Sequence, residues 1–311
     1  MTKSPGTNHR SKYLGEIRTN VRTQLPQSEV KVSSSDIPKL PLDPQKFNKL
    51  IGYPKHPSTL VPSPILDYQL AYIKAIMNDL RVILNKSRKI GATETALRAI
   101  CQQCYSEYIG HNVLIVAGNR QPEANVMLER FKDLFVDGWT DLNDRHWAYR
   151  DLIMNERSDR VDLYSGVTVR TIPANHRALR GQANVKCVFF TEAAHIDSLN
   201  DEKVWGAVKP MVANDDTAAV VVESTPAGIR GFFHDEFHNN QNGYKKMEYD
   251  YTWGLKGGLF TNQFIEQEKK DPRPWYFPQE YGAKFLAGGK SAITIPDQAR
   301  LDGELVDLDT L

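Results

Sequence analysis

Four short runs in the chain, residues 82–84, 113–117, 185–190 and 218–222, consist almost wholly of β-branched, aromatic and other apolar side chains. A strand that is apolar at nearly every position needs cover on both faces, which is the condition of a parallel sheet clothed by helices. Segments of helical spacing precede the first run, at residues 66–80, and follow the first and second, at residues 95–108 and 123–135. Residues 161–164 and 167–172 read as a hairpin turning at Ser165-Gly166. The pattern predicts an α/β fold. In such folds ligands bind beyond the carboxyl ends of the strands, so the informative residues are those that follow each strand.

Composition narrows the function classes. A hydrophobic content of 41% provides for a substantial core, and a formal net charge of +1 gives no global attraction to nucleic acid, so a DNA partner would need a local basic patch. Cys101 and Cys104 form a CxxC inside the helical stretch 95–108. With only Cys187 besides, no second pair completes a metal site or a disulfide framework, and the two are expected to be packed. No apolar run approaches the ~20 residues that span a bilayer, and the N-terminus lacks a signal-like apolar core. An intracellular protein is the expectation. Residues 1–45, rich in Ser, Pro, Lys and Arg, read as a mobile tail.

After the first strand comes Asn85-Lys86-Ser87-Arg88-Lys89-Ile90-Gly91-Ala92-Thr93-Glu94, then a helix. Against the phosphate loop G-x-x-x-x-G-K-[ST], Gly91 falls at the second glycine and Thr93 at the magnesium-binding hydroxyl. Lys86 replaces the first glycine and Ala92 the lysine. Backbone N–H groups at a helix start still suit phosphate, and Lys86, Arg88 and Lys89 supply positive charge. By itself the segment reads equally as a basic surface turn. After the third strand, Thr191-Glu192 puts a carboxylate where an attacking water could be oriented, with Thr191 in place of the usual magnesium-holding Asp. A capping Thr and a first-turn Glu would look the same. After the fourth, Ser224-Thr225-Pro226 could sense a γ-phosphate or form an ordinary turn. His234 and His238 share a helix face, but the Glu between them is misplaced for HExxH and no third ligand is evident, so zinc is not expected.

In order and spacing these segments resemble the ATPase domain of terminase large subunits, the DNA-packaging motors of tailed viruses and prophages. The resemblance runs from about residue 66 to about residue 285. Leu66-Asp67-Tyr68-Gln69 is similar to the family's adenine-contacting glutamine motif. The stretch from Lys86 to Thr93 resembles its deviant Walker A, whose basic residue can stand at the front of the loop. Leu179-Arg180-Gly181 resembles the segment ahead of Walker B, and Phe190-Thr191-Glu192-Ala193-Ala194-His195-Ile196 resembles Walker B with its Asp lost. Ser224-Thr225-Pro226-Ala227-Gly228 is similar to the coupling motif. Phe277-Pro278-Gln279-Glu280-Tyr281, followed by Phe285, resembles a late segment of the domain.

The resemblance implies a P-loop NTPase, RecA-like parallel sheet flanked by helices. It divides the chain into the tail, an ATPase core over residues 46–248 and a small C-terminal lid over residues 249–311. It implies ATP binding by Gln69, Lys86, Ser87, Arg88, Lys89, Ile90, Gly91, Ala92, Thr93 and Glu94, with Mg2+ on Thr93 and Thr191. Glu192 would orient water, and Arg88, or Arg180 from a neighbouring subunit, would neutralise charge on the γ-phosphate. Ser224, Thr225 and Pro226 would couple hydrolysis to movement. The implied partners are double-stranded DNA (held by its backbone), the capsid portal, the small terminase subunit and further copies in a ring, at the procapsid in the host cytoplasm.

Either the family's nuclease is carried on a separate subunit or domain, or this chain is a truncated product. Asp302, Glu304, Asp307 and Asp309 lie on one short segment that cannot assemble a two-metal site. No nuclease activity is expected of this chain. Ala92 and Thr191 leave a second reading open, a catalytically degenerate nucleotide- or DNA-binding scaffold with a relict pocket. A helicase-like ATPase, the third reading, lacks recognisable motifs after Thr225.

Overall fold

The structure, a computed structural model, describes residues 37–56, 59–197, 201–213 and 215–287. In chain order the elements are α1 (Pro44–Leu50), α2 (Asp67–Asn78), β1 (Arg81–Lys86), α3 (Ala92–Gln103), β2 (Asn112–Ala117) and α4 (Gln121–Lys132). A small pair, β3 (Trp139–Thr140) and β4 (His146–Trp147), precedes α5 (Tyr149–Leu152), β5 (Ile153–Glu156), β6 (Arg160–Leu163) and β7 (Thr168–Ile172). Then come α6 (His176–Leu179), β8 (Val185–Thr191), α7 (Asp201–Val212), β9 (Ala219–Ser224), α8 (Gly231–His238) and β10 (Lys245–Tyr249). Helices α9 (Tyr251–Lys256), α10 (Asn262–Glu268) and α11 (Tyr276–Glu280) follow.

Eight strands form one sheet in the order β10-β1-β9-β8-β2-β7-β6-β5. Every neighbouring pair from β10 to β7 is parallel, while β6 and β5 return antiparallel, the first of them making the expected hairpin with β7. The α/β expectation is met, with helices on both faces. Val82 and Leu84 of β1 pack with Phe47, Tyr72, Ala96 and Leu128 from α1 to α4; Ile83 between them packs with Leu179, Val204 and Phe232 from α6, α7 and α8. Successive residues of a strand point to opposite faces, so a strand buried on both must be apolar throughout. Each such Val, Leu or Ile contributes about 1.5–3 kcal/mol on burial.

The path of the chain places the site. Helix α3 carries it from β1 past β9 and β8 to β2, so the carboxyl ends of β1, β9 and β8 lie side by side. Cys101 and Cys104 are buried and unbridged in the core on the α3 side, and burial pushes both thiols up.

The sequence reading extends the tail to residue 45, but residues 37–45 are docked. Pro38, Pro41 and Pro44 are buried, Gln102 Nε2 donates to the Pro41 carbonyl at 2.8 Å, and Leu142 N donates to that of Lys39 at 2.9 Å. Prolines suit such an extended strap because they have no N–H to satisfy and a fixed φ. Their frequency had suggested looseness. Residues 1–36 and the acidic cluster from Asp302 to Asp309 lie outside the described residues.

Candidate nucleotide site

Lys86 is the last residue of β1 rather than part of the loop, and it is 4% exposed. Its Nζ lies 2.9 Å from Glu192 Oε1 beyond the end of β8. Burial pulls the ammonium's pKa down, but Glu192 and Glu223 outweigh that effect and hold it above an ordinary lysine's. For Glu192 burial pushes up, and the Lys86 charge prevails and holds the carboxyl below its usual range. The pair is ionised.

Beyond Lys86 the chain turns sharply. Ser87 N donates to Tyr249 O at 2.7 Å and Arg88 N to Glu280 O at 2.8 Å, so β10 and α11 strap down the front of the loop. Its rear hangs on the Ile90 carbonyl, which accepts from Tyr68 Oη at 2.7 Å and from Gln69 Nε2 at 3.1 Å. Lys89 (φ +57°) and Gly91 (φ +76°) take the left-handed conformation, and α3 starts at Ala92. The first N–H groups of that helix have no intrahelical acceptor and carry the positive end of its dipole, which favours an anion there.

Three polar side chains meet at the tips of β1, β9 and β8. Glu223, in β9 and wholly buried, accepts on Oε1 from Thr93 Oγ1 at 2.6 Å and Thr191 Oγ1 at 3.1 Å. Tyr72 Oη reaches its other oxygen at 3.5 Å. Burial, the largest influence, pushes the Glu223 carboxyl above the usual glutamate range against the pull of Lys86 and the two hydroxyls. Two carboxylates thus share one buried ammonium, and the place suits a further cation. The oxygens of Thr93, Thr191 and Glu223 are the hard donors magnesium takes, together with water and phosphate. Among the described residues no group of three His, Cys, Asp or Glu could hold a metal by itself.

The third loop closes on this cluster. The Thr225 backbone helps keep the Glu192 carboxyl low, Thr225 Oγ1 lies 2.8 Å from His195 Nε2, and Ser224 Oγ accepts from Ala194 N at 3.0 Å. Glu192 is held at φ +54°, a conformation that costs a non-glycine residue about 1–2 kcal/mol and persists where its surroundings impose it.

Other expected residues stand apart. Arg88 pairs with Glu280, Lys89 is exposed with its Nζ 5.9 Å from the Phe264 ring, and Glu94 accepts from Arg98 Nε at 2.8 Å. The Gln69 amide is taken up by Leu66 N and Ile90 O. Ala92 is buried at the start of α3. Arg180 is exposed after α6, and among the described residues no hydrogen bond or ion pair joins it to the cluster. His234 and His238 stack 4.3 Å apart, each against Phe285. Sequence reading passed over Glu223 as the first residue of a turn. The available signal was a carboxylate in register with Thr191 on the neighbouring strand.

The strand–loop–helix from β1, with β9 between β1 and the carboxylate-tipped β8, defines an α/β protein built on a largely parallel sheet flanked by helices. Among solved structures, the fold matches that of phage large terminase ATPase domains. The large terminase ATPase domain of Thermus phage P74-26 aligns over 79% of this chain and 100% of its own, with a TM-score of 0.52 and 19% identity. The large terminase of bacteriophage HK97 aligns over 76% of this chain and 54% of its own, at 0.58 and 12%. The large terminase of another thermophilic bacteriophage, solved in complex with ADP, aligns over 72% and 54%, at 0.53 and 13%. This chain therefore spans about half the length of the latter two proteins. No family model matches the sequence, and no curated protein matches it.

Proposed function

We propose that this chain is the ATP-hydrolysing motor domain of a viral DNA-packaging terminase. The observation that carries the reading is the pair of buried Lys86 and half-exposed Glu192 at the mouth of a β1–loop–α3 turn, in a sheet whose fold matches large terminase ATPase domains. Lys86 and the N–H groups at the start of α3 would bind the β- and γ-phosphates of ATP, with Thr93 beside them on Mg2+. Mg2+ held by Thr93 and Thr191 would supply positive charge against the charge that develops on the phosphates. Glu192 orients the attacking water. Thr225, which adjoins Glu192 and lies 2.8 Å from His195 through its Oγ1, relays the state of the site to the segment that follows it.

Arg88 is the candidate for the γ-phosphate once released from Glu280, and exposed Arg180 suits a role in trans on a neighbouring copy. DNA contact is to backbone phosphates without sequence preference, as translocation demands. The portal, the small terminase subunit and other copies in a ring are the partners this reading requires, at the procapsid in the host cytoplasm. The scaffold reading is disfavoured by the buried Lys86, since a relict pocket has no reason to keep an ammonium desolvated between two carboxylates. Steady-state phosphate release with and without double-stranded DNA tests the proposal. Turnover stimulated by DNA is expected, and binding of nucleotide with no turnover in either condition would leave the scaffold.

A further inference from the structure

Position 191 presents a difficulty for any nucleotide hydrolase built on this plan. P-loop enzymes hold magnesium between the loop's Ser or Thr and an aspartate at the tip of the acid-bearing strand. Here that residue is Thr191, which brings a hydroxyl and no charge.

The neighbouring strand supplies a carboxylate. In the parallel β8–β9 ladder, Thr191 is paired with Glu223. Adjacent strands lie about 4.8 Å apart. A glutamate is one methylene longer than an aspartate, which suits it to reach sideways from β9. Glu223 Oε1 does so, standing 2.6 Å from Thr93 Oγ1 and 3.1 Å from Thr191 Oγ1. One carboxylate oxygen therefore contacts both hydroxyls between which the metal would be held.

The burial of this acid also needs a reason. Glu223 is 0% exposed, and Lys86, the cation it faces, is already engaged with Glu192. A buried carboxylate without its own counter-ion costs several kcal/mol, and an apolar residue would continue the run of Ala219, Val220, Val221 and Val222. A divalent cation at this point supplies the missing charge.

Accepting the nucleotide reading above, we infer that Glu223 is the carboxylate that holds magnesium at this site, transposed from β8 to β9 to replace the aspartate that position 191 lacks. Thr93 and Thr191 then complete the hydroxyl side, with Glu192 left free to orient water.

Manganese is the probe, because free Mn2+ is counted directly by electron paramagnetic resonance. Full-length protein, Glu223→Gln and Thr191→Asp/Glu223→Gln are each titrated with ADP in excess chelator, then with Mn2+ at saturating ADP. Glu223→Gln is expected to keep metal-free ADP affinity and to lose at least ten-fold in Mn2+ affinity, with recovery when Thr191→Asp returns a carboxylate to β8. A purely structural role for Glu223 predicts no such recovery. Should the Gln variant melt early, Glu223→Asp keeps the charge, withdraws it by one methylene and carries the same expected loss. Mn2+ affinity within two-fold of the parent, at intact ADP binding, overturns this inference and leaves the proposed function standing. A parent protein that binds no ADP overturns both.

Discussion

Lys86 and Glu192, 106 positions apart in the chain, meet at 2.9 Å between the carboxyl ends of β1 and β8. The lysine side chain is 6% exposed and the glutamate 45%, so one partner is fixed in the interior while the other faces the mouth of the site. This asymmetry suits a division of labour. A buried ammonium can act only as a fixed charge, while the half-exposed carboxylate remains within reach of water.

Glu192→Gln tests that assignment. The amide is isosteric and its oxygen can still accept from Lys86, so nucleotide affinity is expected to stay within a few-fold of the parent. It cannot orient or activate water as the carboxylate does, and turnover should drop by about 100-fold or more. Phosphate release measured at saturating ATP decides the matter; equal rates in mutant and parent would remove Glu192 from the chemistry.

Lys86→Ala acts on binding. It deletes the one ammonium facing both Glu192 and Glu223 and leaves two carboxylates to meet the triphosphate. Truncating a buried charged partner costs about 2 kcal/mol or more, which is roughly 30-fold in ATP affinity. Lys89→Ala should change affinity far less, because Lys89 is exposed beside Phe264. Calorimetric titration of the two variants with ATP separates them, and equal losses would mean the loop binds by summed charge rather than through Lys86.

The same geometry explains which features the sequence revealed. Strands β1, β2, β8 and β9 were legible because burial on both faces demands unbroken apolar residues. Their ends were not, since Arg81, Asn85 and Lys86 are polar yet pair in the ladder. Strand β10, at the sheet edge with Lys245, Lys246 and Glu248 in its five residues, has no apolar run to betray it. Helix α7 carries Pro210 inside it, a residue that argues against helix in any local reading. Around the candidate site, Lys86, Thr93 and Glu192 drew attention because each comes after an apolar run in the sequence at a motif position. Glu223 and the Arg88–Glu280 pair did not, because their meaning lies in strand register and in contacts between distant segments.

His195 stands between Thr225 and Glu192. Its Nε2 lies 2.8 Å from Thr225 Oγ1 and 4.0 Å from Glu192 Oε2. Burial holds its pKa below the ordinary histidine value despite the nearby carboxylates, so the ring is neutral at pH 7. His195→Ala removes the link while sparing Lys86 and the loop. ATP affinity should stay within a factor of two or three, while the ratio of DNA-stimulated to unstimulated phosphate release should fall by about ten-fold, on the order of 1.4 kcal/mol of coupling. A variant with parental stimulation would show that Thr225 transmits without His195.

Asp141 secures the strap that precedes α1. It accepts from Asn143 N at 2.8 Å, Trp147 Nε1 at 3.0 Å, Arg145 N at 3.1 Å and, across the chain, Lys39 N at 3.3 Å. Burial pushes its carboxyl up, but these donors outweigh it and hold the pKa below the usual aspartate value. A depressed folded-state pKa means that the stabilisation is present above the unfolded value of about 3.9 and is lost as pH falls through the folded one. Asp141→Ala strands the buried Trp147 N–H and releases the strap, so it should cost about 2–3 kcal/mol at pH 7. The gap between parent and variant should begin to narrow as the pH drops below about 4, where the unfolded chain binds the proton first, and close once the pH has fallen through the folded value. Urea melts at pH 7 and pH 3.5 give the comparison. A loss of the same size at both pH values would assign the effect to packing of the β3–β4 turn rather than to the carboxylate.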